Sequence, residues 1–121
     1  MRNKKMLIFC VTISVLVVAV CTIVITAQIQ KNNYERNVFS TERWNENVMQ
    51  RTYMIDDLLS RYEIIGMSRD EILDLLGTNA LTRIFPDVLM YRVGRDFLHI
   101  IQFMIHFDEN DIAYQYSIMY D

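Results

Sequence analysis

Apolar and polar positions divide the chain near residue 28. Met6 to Ala27 is a run of 22 residues without a charge, whereas the chain beyond it alternates short apolar and polar stretches. At about 1.5 Å per residue a helix over that run reaches roughly 33 Å, enough to cross a hydrocarbon core of about 30 Å. Thirteen of its residues are Leu, Ile, Phe or Val, each worth about −0.3 to −0.6 kcal/mol at mid-membrane. Insertion is therefore expected to be favourable despite Thr12, Ser14, Thr22 and Thr26, whose hydroxyls can bond to the helix's own carbonyls.

Arg2, Lys4 and Lys5 precede the run, while only Lys31 and Arg36 follow it closely. That asymmetry places the N-terminus in the cytoplasm and the rest outside. A cleaved signal peptide fits poorly, because the run exceeds the usual apolar core and Ile25 stands where a small residue should precede Ala27. A lipoprotein signal fits no better, since bulky Val20 precedes Cys21. The reading is a basic terminus (1–5), a retained membrane anchor (6–27), a polar Asn-rich stalk (28–40) and a small head (41–121). Cys10 and Cys21 both lie in the anchor, near one helix face, which would allow a homodimer.

In the head, Thr41 reads as an N-cap, and Trp44, Val48, Ile55, Leu59 and Tyr62 fall on one face of an amphipathic helix. Ser68 and Glu71 form an S-x-x-E capping box, Ile72, Leu75 and Leu76 an apolar stripe, and Gly77 a C-terminal cap after the turn at Gly66. Thr78 to Asp87, with the chain's single Pro, reads as a loop. Leu89, Tyr91 and Val93 alternate in a short strand that Gly94 ends. Ile101, Phe103, Ile105 and Phe107 share a face of a second strand, and Ile112, Tyr114, Tyr116, Ile118 and Tyr120 a face of a third. The predicted class is α+β: the transmembrane helix, then two helices on a three-stranded antiparallel sheet (ααβββ).

Gly66-Met67-Ser68-Arg69-Asp70-Glu71-Ile72, Leu75-Leu76-Gly77, Leu89 to Val93, and Phe103 to Asp108 with Ile112 resemble the SmpA/OmlA family, also called BamE-like. The likeness covers about Asp56 to Tyr120. It implies a small helix pair against a three-stranded sheet. It also implies a non-catalytic domain outside a bacterial cell membrane that contacts an envelope protein or lipid.

Composition narrows the chemistry. From Gln28 onward nine Lys/Arg stand against fifteen Asp/Glu, which disfavours nucleic acid and anionic membrane surfaces as partners of the head. The head has no Cys, so thiol catalysis and Cys-based zinc sites are excluded. His99 and His106, seven apart on a strand, leave opposite faces and cannot share a metal. Asp108, Glu109 and Asp111 lack the Gly and distal Glu of an EF-hand loop and read as an acidic turn. No phosphate loop, nucleophile elbow or H-E-x-x-H occurs. No enzyme, cofactor or metal is expected.

Aromatic surplus remains. Tyr34, Phe39, Phe85 and Phe97 lie in predicted stalk or loops, and Tyr91 on a strand predicted at a sheet edge; these five are the candidate interaction surface. The expected partners are membrane lipid, through the anchor, and an envelope protein. An inhibitor of an extracellular enzyme and a small-ligand or ion sensor are the competing readings.

Overall fold

The computed structural model describes residues 2–79 and 81–121 and divides into two units, one ending at Glu35 and the other Arg36–Asp121. In the first, helix α1 (Arg2–Asn37) is long and apolar enough to cross a membrane. Its hydroxyls turn inward on the backbone as expected: Thr12, Ser14, Thr22 and Thr26 donate to the carbonyls of Phe9, Cys10, Val18 and Thr22, each at 2.8 Å. The helix does not stop at the end of the apolar run. It continues through the residues read as a stalk, where Lys31 and Glu35 pair at 3.8 Å across one turn.

The second unit is α+β, with short helices α2 (Thr41–Glu46), α3 (Arg51–Arg61) and α4 (Arg69–Leu76) and a 3-10 turn at Val48–Gln50. Strands β1 (Leu81–Phe85), β2 (Val88–Arg95), β3 (Ile100–Phe107) and β4 (Ala113–Tyr120) form one antiparallel sheet in the order β1-β2-β3-β4. Two expectations change. The sheet has four strands, because the segment read as a loop pairs with β2 through a tight turn at Pro86-Asp87, where the fixed φ of Pro suits a turn position. The short strand predicted at an edge is therefore β2, inside the sheet.

The single amphipathic helix predicted from Trp44 to Tyr62 is also broken. Ser40, rather than Thr41, caps α2, its hydroxyl accepting from the Arg43 N–H at 3.2 Å. At Asn47 the backbone leaves the helical region, and the chain restarts through the 3-10 turn. The shift rotates Arg51 inward in place of Val48. Arg51 is fully buried, and among the described residues no carboxylate forms an ion pair with it. Instead its guanidinium donates to three carbonyls: Trp44 at 2.6 Å, Asn79 at 3.0 Å and Arg92 at 3.1 Å. It also lies 4.7 Å from the centroid of the Trp44 ring. Each carbonyl belongs to a different segment, so one side chain ties α2, the α4–β1 connection and β2 together.

The Ser68–Glu71 capping box forms as predicted, with Glu71 accepting from the Ser68 N–H at 2.8 Å and Ser68 from the Glu71 N–H at 3.2 Å. Gly77 caps α4 at φ 71°. Gly94 has a different role: a Cβ there would run into the Thr52 hydroxyl, and that hydroxyl donates to the Val93 carbonyl. The core gathers Trp44, Met54, Ile55, Leu58, Ile64, Ile72 and Leu76 of the helices and their connections against Leu89, Tyr91, Val93, Phe103 and Ile105 of the sheet. Burial of this apolar surface is the main force holding the helices on the sheet.

Candidate interaction surface

The five aromatic candidates separate by burial. Phe39 is a core residue, edge-on to Trp44 and Tyr62 with ring centroids 5.9 and 5.6 Å away, and its N–H donates to Asp57 at 2.7 Å. Tyr91 is fully buried and donates its hydroxyl to the Gly77 carbonyl at 2.8 Å. Neither can meet a partner in this fold, because the first closes the core beside α2 and the second occupies an interior strand. Tyr34, on α1, Phe85, at the end of β1, and Phe97 are exposed.

Phe97 is held out by a built turn. Asp96 Oδ1 accepts from the N–H groups of Leu98 (3.0 Å) and His99 (2.8 Å), with the His99 ring Nδ1 at 3.2 Å, and the Asp96 N–H donates to the His99 carbonyl. Those hydrogen bonds, first from the His99 and then the Leu98 backbone, hold the Asp96 carboxyl below its ordinary value. Phe97 and Leu98 are 92% and 73% exposed at the tip of the β2–β3 hairpin.

The larger surface is β4, which the sequence pattern marked as buried. Ile101, Phe103 and Ile105 of β3 pair with Tyr120, Ile118 and Tyr116, so these three share the face that the helices cover. The helices leave them partly open. Tyr116, Ile118 and Tyr120 are 41%, 44% and 62% exposed. Beside Tyr116 a shallow groove is lined by Leu59, Tyr62, Glu63, Ile64 and Ile65. Tyr114 departs from the alternation, because a register shift between His106 and Phe107 sets its ring 6.3 Å from that of His106.

The edge of β4 is open in its backbone as well. Ile100 and Asp121 exchange both N–H···O bonds, so by antiparallel alternation Met119, Ser117 and Gln115 face β3 and Tyr120, Ile118 and Tyr116 point their N–H and C=O groups away from the sheet. At its start the edge is closed: Ala113 bonds to Gly66 and Met67, and Asp111 accepts from the Arg69 N–H. Arg69 also pairs with the Asp111 carboxylate at 2.7 Å. The open stretch runs toward the hairpin tip, since Ile100 and Ile101 adjoin both Asp121-Tyr120 and the Asp96–His99 turn.

Titratable chemistry is sparse. Burial pushes the Tyr91 phenol up to about 12, against the opposing charge of Arg51, and burial lowers Arg51 to about 10. Among the described residues no three His, Cys, Asp or Glu side chains gather closely enough to hold a metal. Sequence reasoning missed Arg51, whose charge reads as solvent-facing, and it missed the bare edge, since period-two alternation states which face a strand buries but not whether anything covers it. Compared with family models, curated proteins and solved structures, the chain matches none.

Proposed function

We propose that the chain is a single-pass membrane protein whose Arg36–Asp121 unit is a non-catalytic interaction module outside the membrane. The observation that carries the reading is the open edge of β4, where Tyr116, Ile118 and Tyr120 leave apolar side chains and unpaired backbone groups to solvent. Exposed apolar surface of that kind is costly unless a partner covers it. The apolar α1 supports the anchoring, and Arg2, Lys4 and Lys5 before it support a cytoplasmic N-terminus. The resemblance of Gly66–Ile72 and the hairpin strands to SmpA/OmlA domains supports a place in a bacterial cell envelope.

Intact mass of the membrane-extracted protein, with protease accessibility of the head in sealed cells, tests the anchoring. An uncut chain whose head is digested only from outside is the expected result. A mass showing cleavage near Cys21 or Ala27, or a head protected from outside protease, overturns it.

A further inference from the structure

We propose that β4 is a self-pairing edge, which joins two copies of the head through an antiparallel β4–β4 contact centred on Ile118 to make one continuous eight-stranded sheet. The inference rests on reading the head as an interaction module, and it names the partner as a second copy of this chain.

Three properties of the strand point to its own copy. The first is protection, or the lack of it. Edge strands are ordinarily blunted by Lys, Pro, an inward charge or a bulge. From Gln115 to Tyr120 β4 carries none of these, and its register with β3 is regular. The second is self-complementarity. The groups of Tyr116, Ile118 and Tyr120 that point away from the sheet lie two residues apart, so a two-fold axis at Ile118 brings outward groups onto outward groups. Ile118 then faces Ile118 of the second copy, and Tyr116 faces Tyr120 of the second copy, all on the helix-side face. Cross-strand aromatic and β-branched pairs of this kind favour pairing.

The third property is charge. In this register Asp121 stands opposite the neutral Gln115 of the second copy, so no like charges meet along the strand. The groove beside Tyr116, lined by Leu59, Tyr62, Glu63, Ile64 and Ile65, then lies where Tyr120 of the second copy arrives. The most exposed ring of the edge so meets a recess in which Leu59, Ile64 and Ile65 offer apolar contact and Tyr62 and Glu63 offer polar groups to its hydroxyl. Anchors in the same bilayer raise the effective concentration of one head for another, which allows a short edge contact to hold.

The head contains no Cys, so the register can be read directly. The full-length chain, with Cys10→Ser and Cys21→Ser, is expressed in membranes with Ile118→Cys and exposed to a mild oxidant. In an antiparallel hydrogen-bonded pair the two Cα atoms lie about 5.5 Å apart, within disulfide range. The expected result is a disulfide dimer from Ile118→Cys at a rate at least tenfold above that of Asp56→Cys, an exposed position on α3. Tyr116→Cys and Tyr120→Cys, each expressed alone, should cross-link slowly, and the two co-expressed should cross-link rapidly. Far-ultraviolet circular dichroism and a cooperative melt of each purified variant show that it has folded.

Equal rates from Ile118→Cys and Asp56→Cys, or fast self-linking of Tyr116→Cys without the mixed pair, overturn the proposal. So does a dimer found by size in mild detergent that Ile118→Cys does not trap, which would place the contact in α1. These failures differ from failure of the interaction reading itself. If the head is monomeric in membranes but retains a specific envelope protein that Ile118→Lys releases, self-pairing falls and the module stands.

Discussion

Strands β2 and β4 are each eight residues long, pair antiparallel with the same neighbour β3, and draw on Tyr, Met and branched aliphatic side chains. They end in opposite environments. In β2 only Arg92 and Arg95 escape burial, and in β4 only Ala113 is buried. Composition does not separate them. Position does, because β2 has β1 and β3 on its flanks and the helices over its Leu89-Tyr91-Val93 face, while β4 has one neighbour and the ragged end of α3. The same residue type therefore stabilises the fold in one strand and is left for recognition in the other.

Matched substitutions test that contrast most strongly. Tyr91→Ala should cost about 3–5 kcal/mol, since it opens a cavity and strands the Gly77 carbonyl, whereas Tyr116→Ala should cost less than about 1 kcal/mol. Chemical denaturation of both variants checks this; equal losses would mean that β4 is structurally enclosed. Arg51→Met comes next. It leaves the carbonyls of Trp44, Asn79 and Arg92 without their donor and should destabilise by roughly 2–3 kcal/mol despite its apolar replacement. A gain in stability would show that the buried cation is dispensable.

Gly94→Ala should cost about 1–3 kcal/mol, because the new Cβ displaces the Thr52 hydroxyl from β2. The smaller effects are in pH. The Tyr91 phenol is raised from 10.0 to about 12 by burial, so the folded chain holds a proton there that the unfolded chain gives up. That stability is complete below pH 10 and is lost as pH approaches 12. Arg51, lowered from 12.5 to about 10, acts in the opposite sense over the same range, since the unfolded chain holds its proton there. Tyr91→Phe should remove the Tyr91 share of the pH dependence, so that between pH 10 and 12 Tm falls less than in the native chain, or rises, and phenolate absorbance near pH 12 should shrink with it. The Asp96 carboxyl is lowered by its turn hydrogen bonds, so it contributes above the ordinary carboxylate pKa and is lost in acid. The Leu98 and His99 amides should exchange faster there, and Asp96→Ala should abolish that dependence.

Much of the fold is legible in local sequence. The Ser68–Glu71 box, the cap at Gly77 and the alternation of β3 each depend on residues close in the chain, and each forms. The rest depends on distant partners. Strand β1 exists because β2 is there to pair with it. The break at Asn47 is masked by a seven-residue gap in the apolar pattern between Val48 and Ile55. Phe39 is read as surface because nothing in its neighbourhood announces the ring of Trp44. The candidate surface was the least legible part, because an exposed strand and a buried one have the same period.

Arg51 has a consequence for how the head comes apart. Its three carbonyl acceptors are 7, 28 and 41 residues distant in the chain, so opening α2, the α4–β1 connection or β2 alone uncovers the cation and removes a donor from the other two. Partial unfolding is thereby penalised relative to complete unfolding. The region around this side chain should exchange its amide hydrogens as one cooperative block, while the outer side of β4, which makes no bond to it, exchanges independently and sooner.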